Sequence, residues 1–186
     1  MKMLLFQYGS NMKQRRLEEK INSQVNRYAP SDVLATIEMV GRAAVRGWQF
    51  RLGGHNSAGK VVCDMVEAPY ESTVWGALYQ LDRQLVLRSD GNRSVLDRIE
   101  GHRRDNASPD TYRPTCVEVE WDGSGAHAWT YVCSPTARRC PPECPHTATE
   151  GYINAVLVGA VEIGLPEDYQ DCLREACRRV QHAGGG

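Results

Sequence analysis

Eight consecutive residues, Val74-Trp75-Gly76-Ala77-Leu78-Tyr79-Gln80-Leu81, do most to restrict the fold. β-Branched and aromatic side chains dominate a short run with one glycine, which reads as a strand. Other short strands surround it. Residues 3–8 read as a short buried strand broken by Gly9-Ser10-Asn11, and 33–52 as a β-rich region interrupted by Gly41 and Gly47. Residues 61–66 read as a strand before the Ala68-Pro69 turn. Residues 112–121 and 126–133 read as a hairpin across Asp122-Gly123-Ser124-Gly125. In its first arm Val117, Val119 and Trp121 alternate with Glu118 and Glu120, one dry face against one wet face.

Helical spacing is clearest near the C-terminus. Apolar residues at 153, 156, 157, 160 and 163 place a helix over 152–163. Gly164 stops it and Pro166 starts another, with Tyr169, Cys172, Leu173, Ala176 and Val180 on one face. Two shorter helices are expected: 12–21, where Leu17 and Ile21 lie four apart, and 94–100, stopped by Gly101. Asp82 is placed to cap a helix after the strongest strand. The compositions of 53–59, 102–109 and 135–149 predict loops, the first mobile, and 182–186 should fray. Strands come first and a helix pair last, so the expectation is an α+β fold in a single domain over 1–186.

Charge and patterning exclude several classes. The chain carries 22 Lys+Arg against 23 Asp+Glu, a net charge of −1. That balance lacks a nucleic-acid footprint. No apolar run approaches the roughly 18 residues of a membrane span, and Met3-Leu4-Leu5-Phe6 is too short for a secretory core. The expected location is cytoplasmic, the expected state a monomer or homodimer. The 18 Arg against 4 Lys suit carboxylates and phosphates, but GC-rich codon use gives the same bias. Seven scattered Cys do not form a dense disulfide framework. Cys133, Cys140, Cys144 and His146 are zinc-ligand types, spaced C-x6-C-x3-C-x-H. The tight C-x2-C pair is missing, so the segment reads as a Pro-rich loop with free thiols, and no metal is expected. The five His have no Ser or Cys partner at a recognisable spacing. Arg103-Arg104 and Arg138-Arg139 read as solvated charge.

Two short segments carry candidate chemistry. Tyr8-Gly9-Ser10-Asn11 follows the first strand. Gly lets the backbone approach a ligand, and consecutive N–H groups in such a turn form an anion site; an ordinary Asx or Ser turn has the same pattern. In Leu96-Asp97-Arg98-Ile99-Glu100-Gly101, Leu96 and Ile99 face a core and leave Glu100 at a helix C-terminus. The helix dipole raises a carboxylate pKa there, which suits a general base working on an amine. A solvated surface Glu fits the same spacing.

Taken in order, these segments resemble the γ-glutamylcyclotransferases, with the plant-type, AIG2-like avirulence-induced proteins further off. Tyr8-Gly9-Ser10-Asn11-Met12 resembles the family's Y-G-S-N-[LM] loop. Residues 74–81 resemble its V-W-G-x-x-[YW]-x-[LM] strand, and Leu96-Asp97-x-x-Glu100-Gly101 with Tyr112 its L-D-x-x-E-G…Y segment. Tyr152, Gly159-Ala160, Gly164-Leu165-Pro166 and Tyr169 resemble its C-terminal block. Arg51-Leu52 followed by Asn56-Ser57-x-Gly59-Lys60 resembles a family strand and loop. The likeness runs from about Leu4 to Leu173. The sequence departs at Gln7, where a small residue is common, and in the Cys-rich segment before Tyr152.

The resemblance implies a small mixed β-barrel flanked by helices. It implies cyclotransferase chemistry, classed among acyltransferases and lyases, without a cofactor. The α-amine of a γ-glutamyl group attacks its own γ-amide carbonyl, giving 5-oxoproline and a free amine. By the same resemblance Glu100 is the catalytic acid/base. Tyr8, Gly9, Ser10, Asn11, Tyr112, Tyr131 and Tyr152 hold the small-molecule γ-glutamyl substrate. Three roles fit: glutathione-type metabolism of γ-glutamyl amino acids; biosynthetic removal of a γ-glutamyl cap, as a butirosin-pathway relative performs; or a non-catalytic binding module of the same fold.

Overall fold

A computed structural model describes residues 2–28, 37–56, 58–85, 94–102, 111–138 and 147–182. Five strands close a barrel in the order β1-β5-β2-β6-β7, built from β1 (Lys2–Gln7), β2 (Ile37–Arg46), β5 (Thr73–Asp82), β6 (Tyr112–Trp121) and β7 (Ser124–Cys133). The strand that dominates the sequence, β5, lies between β1 and β2, antiparallel to both. Six of its ten residues are buried and the other four half-buried, so both of its faces are covered. Parallel pairing of Leu5 with Trp129 closes the ring, so the barrel is mixed, as expected. The remaining strands, β3 (Trp48–His55) and β4 (Val61–Glu67), form a separate antiparallel pair.

Among the described residues four α-helices accompany the sheets: α1 (Gln14–Tyr28), α2 (Val95–Ile99), α3 (Glu150–Glu162) and α4 (Glu167–His182). One apolar cluster joins barrel and helices. It includes Leu5, Phe6 and Leu78 from strands with Leu17, Leu96, Val156 and Leu173 from α1 to α4. Among the described residues no helix is long and apolar enough to cross a membrane.

Several boundaries differ from the sequence reading. The first helix starts later and runs further, because Val25 continues the spacing of Leu17 and Ile21. Gly53, Gly54 and His55 belong to β3 rather than to a loop. A Cβ at Gly54 would collide with the Cys133 thiol, so the glycine marks close packing, not mobility. The chain turns beyond Asn56, whose side chain accepts backbone N–H bonds from Ala58 and Lys60, each at 3.0 Å. The hairpin turn has two residues, Asp122-Gly123, and β7 begins at Ser124. Asp82 ends β5, and a single 3-10 turn, Arg83–Leu85, follows it in place of a capped helix. On α4 Cys172 is exposed and Cys177 takes the buried position. The loop expectations for 103–109 and 139–146, and the fraying of 183–186, lie outside the described residues.

Candidate active site

The turn after β1 is built first. Met12 N–H donates to the Gly9 carbonyl at 3.1 Å, closing the turn, and the Tyr79 hydroxyl of β5 donates to the Met12 carbonyl. Gly9 packs against β4: a Cβ there would sit 3.2 Å from Cys63 Cβ and 3.8 Å from the Tyr152 hydroxyl. Ser10 and Asn11 are thereby held at the mouth of the barrel, where both line a cavity of about 350 Å³.

Helix α2 supplies the carboxylate. Ser94 and Asp97 form a capping box: Ser94 Oγ accepts from Asp97 N–H and Asp97 Oδ2 from Ser94 N–H, both at 3.0 Å. At the other end Gly101 takes φ +71°, the left-handed conformation that glycine adopts without strain. His102 N–H then reaches back to the Asp97 carbonyl at 2.8 Å, and Glu100 N–H to Leu96 at 3.0 Å. Both ends of this five-residue helix are closed, which fixes where Glu100 points.

Glu100 meets the turn directly. Its Oε1 accepts from Asn11 Nδ2 at 2.8 Å and from Gln7 Nε2 at 3.3 Å. Asn11 Oδ1 in turn accepts from the Lys20 ammonium of α1 at 2.6 Å. Burial pushes the Glu100 pKa up. The nearby Lys20 charge and the two amide donors hold it back without reversing the direction. Desolvation is therefore the main cause, not the helix dipole that the sequence suggests; α2 is too short for that dipole to dominate.

The cavity is lined also by Arg16, Lys20, Asn56, Lys60, Thr111, Tyr112 and Tyr152. Tyr112 and Tyr152 grip one residue of β4. The Tyr112 hydroxyl donates to the Cys63 carbonyl at 2.5 Å, and Cys63 N–H donates to the Tyr152 hydroxyl at 2.8 Å. Burial raises both phenol pKa values well above the usual range, so neither phenol is a base at neutral pH. Glu100 is the one carboxylate among the described residues lining the cavity, and no His or Cys among them lines it.

Of the eight sequence-predicted residues, the structure brings Ser10, Asn11, Glu100, Tyr112 and Tyr152 together around this cavity. Gly9 lies beneath it. The side chains of Tyr8 and Tyr131 do not line it. Tyr8 is buried and its hydroxyl donates to the Tyr131 carbonyl at 2.7 Å. The Tyr131 hydroxyl donates to Asp97 Oδ1 at 3.0 Å. Both hydroxyls are thus engaged by groups within the barrel. Gln7, Arg16, Lys20, Asn56 and Lys60 are additions to the predicted site residues; of these, Asn56 and Lys60 lie in the N-S-x-G-K loop already matched to the family, to which the sequence reading gave no site role. Gln7 has a signal, a lone polar residue in an apolar strand; Lys20, inside a charged helical run, has none.

Among the described residues no cluster of three or more His, Cys, Asp or Glu is placed to hold a metal ion. Cys140, Cys144 and His146 lie outside them, while Cys133 is buried with its thiol 3.7 Å from the Cys63 carbonyl. Burial pushes the Cys63 thiol up to about 12, far from thiolate chemistry.

Solved structures share this fold. A γ-glutamyl cyclotransferase superposes with a TM-score of 0.66 at 20% identity, covering 94% of this chain and 87% of that one. An uncharacterised human protein gives 0.66 at 19%, covering 93% and 86%. YkqA from Bacillus subtilis gives 0.65 at 24%, covering 95% of this chain; the chain spans about half the length of that protein, 54%. At these identities the likeness is one of fold. No curated protein sequence matches the chain. A family model does match, over residues 73–173, which hold strand β5, the capped helix with Glu100, the hairpin, α3 and the first turns of α4. That segment is more than half of the chain, and it makes the protein a member of the AIG2-like family, with a γ-glutamylcyclotransferase-like fold.

Proposed function

We propose that this protein is a γ-glutamylcyclotransferase with Glu100 as its single acid/base. The observation that carries the reading is the Glu100 carboxylate, raised in pKa by burial and held by Asn11 at 2.8 Å on the wall of the cavity. A substrate α-ammonium must lose a proton before attack, and a carboxylate above its ordinary pKa is a better acceptor than an exposed one. The freed amine attacks the γ-amide carbonyl carbon, forming the ring C–N bond. The tetrahedral intermediate then breaks the original amide C–N bond as Glu100 returns the proton to the leaving nitrogen, and the second proton lost by the attacking nitrogen passes through the same carboxylate to the released amine, which departs as an ammonium. The reaction needs one proton carrier, and the described lining of the cavity holds one carboxylate. Ring closure is intramolecular, so holding the glutamyl chain folded contributes much of the rate. The backbone N–H groups of Gly9, Ser10 and Asn11 are suited to the α-carboxylate or the developing oxyanion.

The test is release of 5-oxoproline from a panel of γ-glutamyl amides, covering amino acids and simple amines, by the wild type and Glu100→Gln. The expected result is turnover by the wild type and a fall of roughly 100-fold or more in the variant, at unchanged thermal stability. The raised pKa predicts an acid limb in kcat/KM above the ordinary carboxylate range near 4.5. A wild type that binds these amides without releasing 5-oxoproline, or a fully active variant, rejects the assignment.

A further inference from the structure

Lys20 belongs to none of the sequence motifs, yet it completes a three-residue chain ending on the candidate base. Its ammonium donates to Asn11 Oδ1 at 2.6 Å, and the Asn11 amide donates to Glu100 Oε1 at 2.8 Å. An asparagine amide has two nearly isosteric orientations. With Oδ1 held by a cation, the NH₂ end is the end left to face the carboxylate. Without that cation, Asn11 is free to turn its oxygen toward Glu100, replacing a donor with a repelling acceptor.

We propose that Lys20 is a positioning residue for the reaction: it fixes the orientation of the Asn11 amide and, through its charge, keeps the Glu100 carboxylate in its basic form. The inference rests on the cyclotransferase reading for its catalytic consequence, but not for its structural content. The cost of burying Lys20 pulls its pKa down, with Arg16 pulling the same way; the Glu100 charge pulls it up. A half-buried lysine tied through an amide to a half-buried carboxylate is an arrangement a solvated helix face does not require. Position 20 also has the right reach, since α1 begins three residues after Asn11 and runs beside α2.

The other groups around Glu100 do not substitute for it. Gln7 from β1 is a neutral donor at the longer distance of 3.3 Å. Asp97 and Tyr131 lie behind Glu100 and engage each other. Tyr112 of β6 and Tyr152 of α3 are neutral phenols committed to Cys63. Arg16 and Lys60 line the cavity without a hydrogen bond to Glu100. Among the described residues and their hydrogen bonds, Lys20 is thus the cation joined to the carboxylate through Asn11.

The experiment has two arms. Carboxyl-carbon NMR of the ligand-free protein follows the titration of Glu100, identified by loss of its signal in Glu100→Gln. Lys20→Met is expected to move that titration up by about one pH unit, the scale of losing one nearby charge in a partly solvated site. Lys20→Arg is expected to restore it. In the kinetic arm the acid limb of kcat/KM moves by the same amount, so activity falls about tenfold at the acid end and little at high pH. If no γ-glutamyl amide is turned over, the functional reading fails while the NMR arm still decides the role of Lys20. An unmoved Glu100 titration in a folded Lys20→Met protein overturns the proposal, even where KM has risen. Should Lys20→Met fail to fold, Lys20→Gln is titrated instead; the same upward shift is expected, and its absence overturns the proposal in the same way.

Discussion

Gln7 shows how one buried amide alters the working of a carboxylate. It is the last residue of β1, 7% exposed, and its side chain turns toward Glu100 where an apolar residue would only fill space. Losing this donor disfavours the ionised carboxylate, so the Glu100 pKa should rise further. Gln7→Leu is expected to lower kcat/KM about fivefold near pH 6, equivalent to about 1 kcal/mol for one hydrogen bond to a charged group at 3.3 Å, and less at pH 8. Steady-state 5-oxoproline release at the two pH values measures it; an equal loss at both would assign Gln7 to packing alone. Residues of this kind are half legible in the sequence. A polar side chain in an apolar strand announces itself, but its partner lies 93 positions away. Tyr8 and Tyr131 mark the opposite limit. The family resemblance makes both ligand contacts, yet both point their hydroxyls into the protein, at the Tyr131 carbonyl and at Asp97. Alternation along a strand fixes which side chains share a face, not what lies across the barrel from them.

Elements defined by contiguous residues are the most legible. The capping box of α2 and its glycine stop lie within eight residues, 94–101, and local chemistry alone closes both ends. Ser94→Ala removes the N-terminal cap and should destabilise by about 1 kcal/mol, a fall in Tm of roughly 2–4 °C for a protein of this size. Because α2 carries Glu100, activity should fall by more than that loss of folded protein explains. Thermal melts and kcat from the same preparation separate the two effects. Strand contacts that glycine permits are less visible. A Cβ at Gly76 would collide with the Gln7 carbonyl and come within 2.9 Å of the Phe6 ring, because the end of β1, where Gln7 pairs with Ala77, lies against it. Backbone cannot move aside as a flexible side chain does. Gly76→Ala should therefore cost about 2–3 kcal/mol by overpacking and displace the strand end that holds Gln7. Calorimetry on Gly76→Ala beside Gly151→Ala, where a Cβ meets open space and the backbone is not left-handed, separates this clash from a general effect of replacing glycine.

At the scale of the whole molecule, one fully buried carboxylate ties the small sheet to the barrel. Asp64 of β4 pairs with Arg51 of β3 at 3.0 Å and with Arg138, just beyond β7, at 2.9 Å. It also accepts the backbone N–H of Cys133 at 2.9 Å. Asp64 is 0% exposed, whereas the side chains of Arg51 and Arg138 are 41% and 26% exposed. Removing the acid leaves two cations that water can still reach, but one backbone donor that it cannot. The expected cost of Asp64→Ala is therefore about 3 kcal/mol, the low end for breaking a buried pair. Arg51→Ala, the more exposed partner, should cost about 1 kcal/mol or less. The asymmetry has a functional side. Neighbouring Val61, Val62 and Cys63 of β4 form the cavity wall or anchor the tyrosines that do, Tyr112 and Tyr152. A loosened β4 should raise KM for γ-glutamyl amides while leaving the Glu100 titration in place, since Glu100 is held by β1, the turn and α1. Chemical denaturation of the two variants, with KM and the carboxyl NMR titration on Asp64→Ala, tests this division. A Glu100 titration that moves with Asp64 would mean that the two halves of the cavity are not held independently.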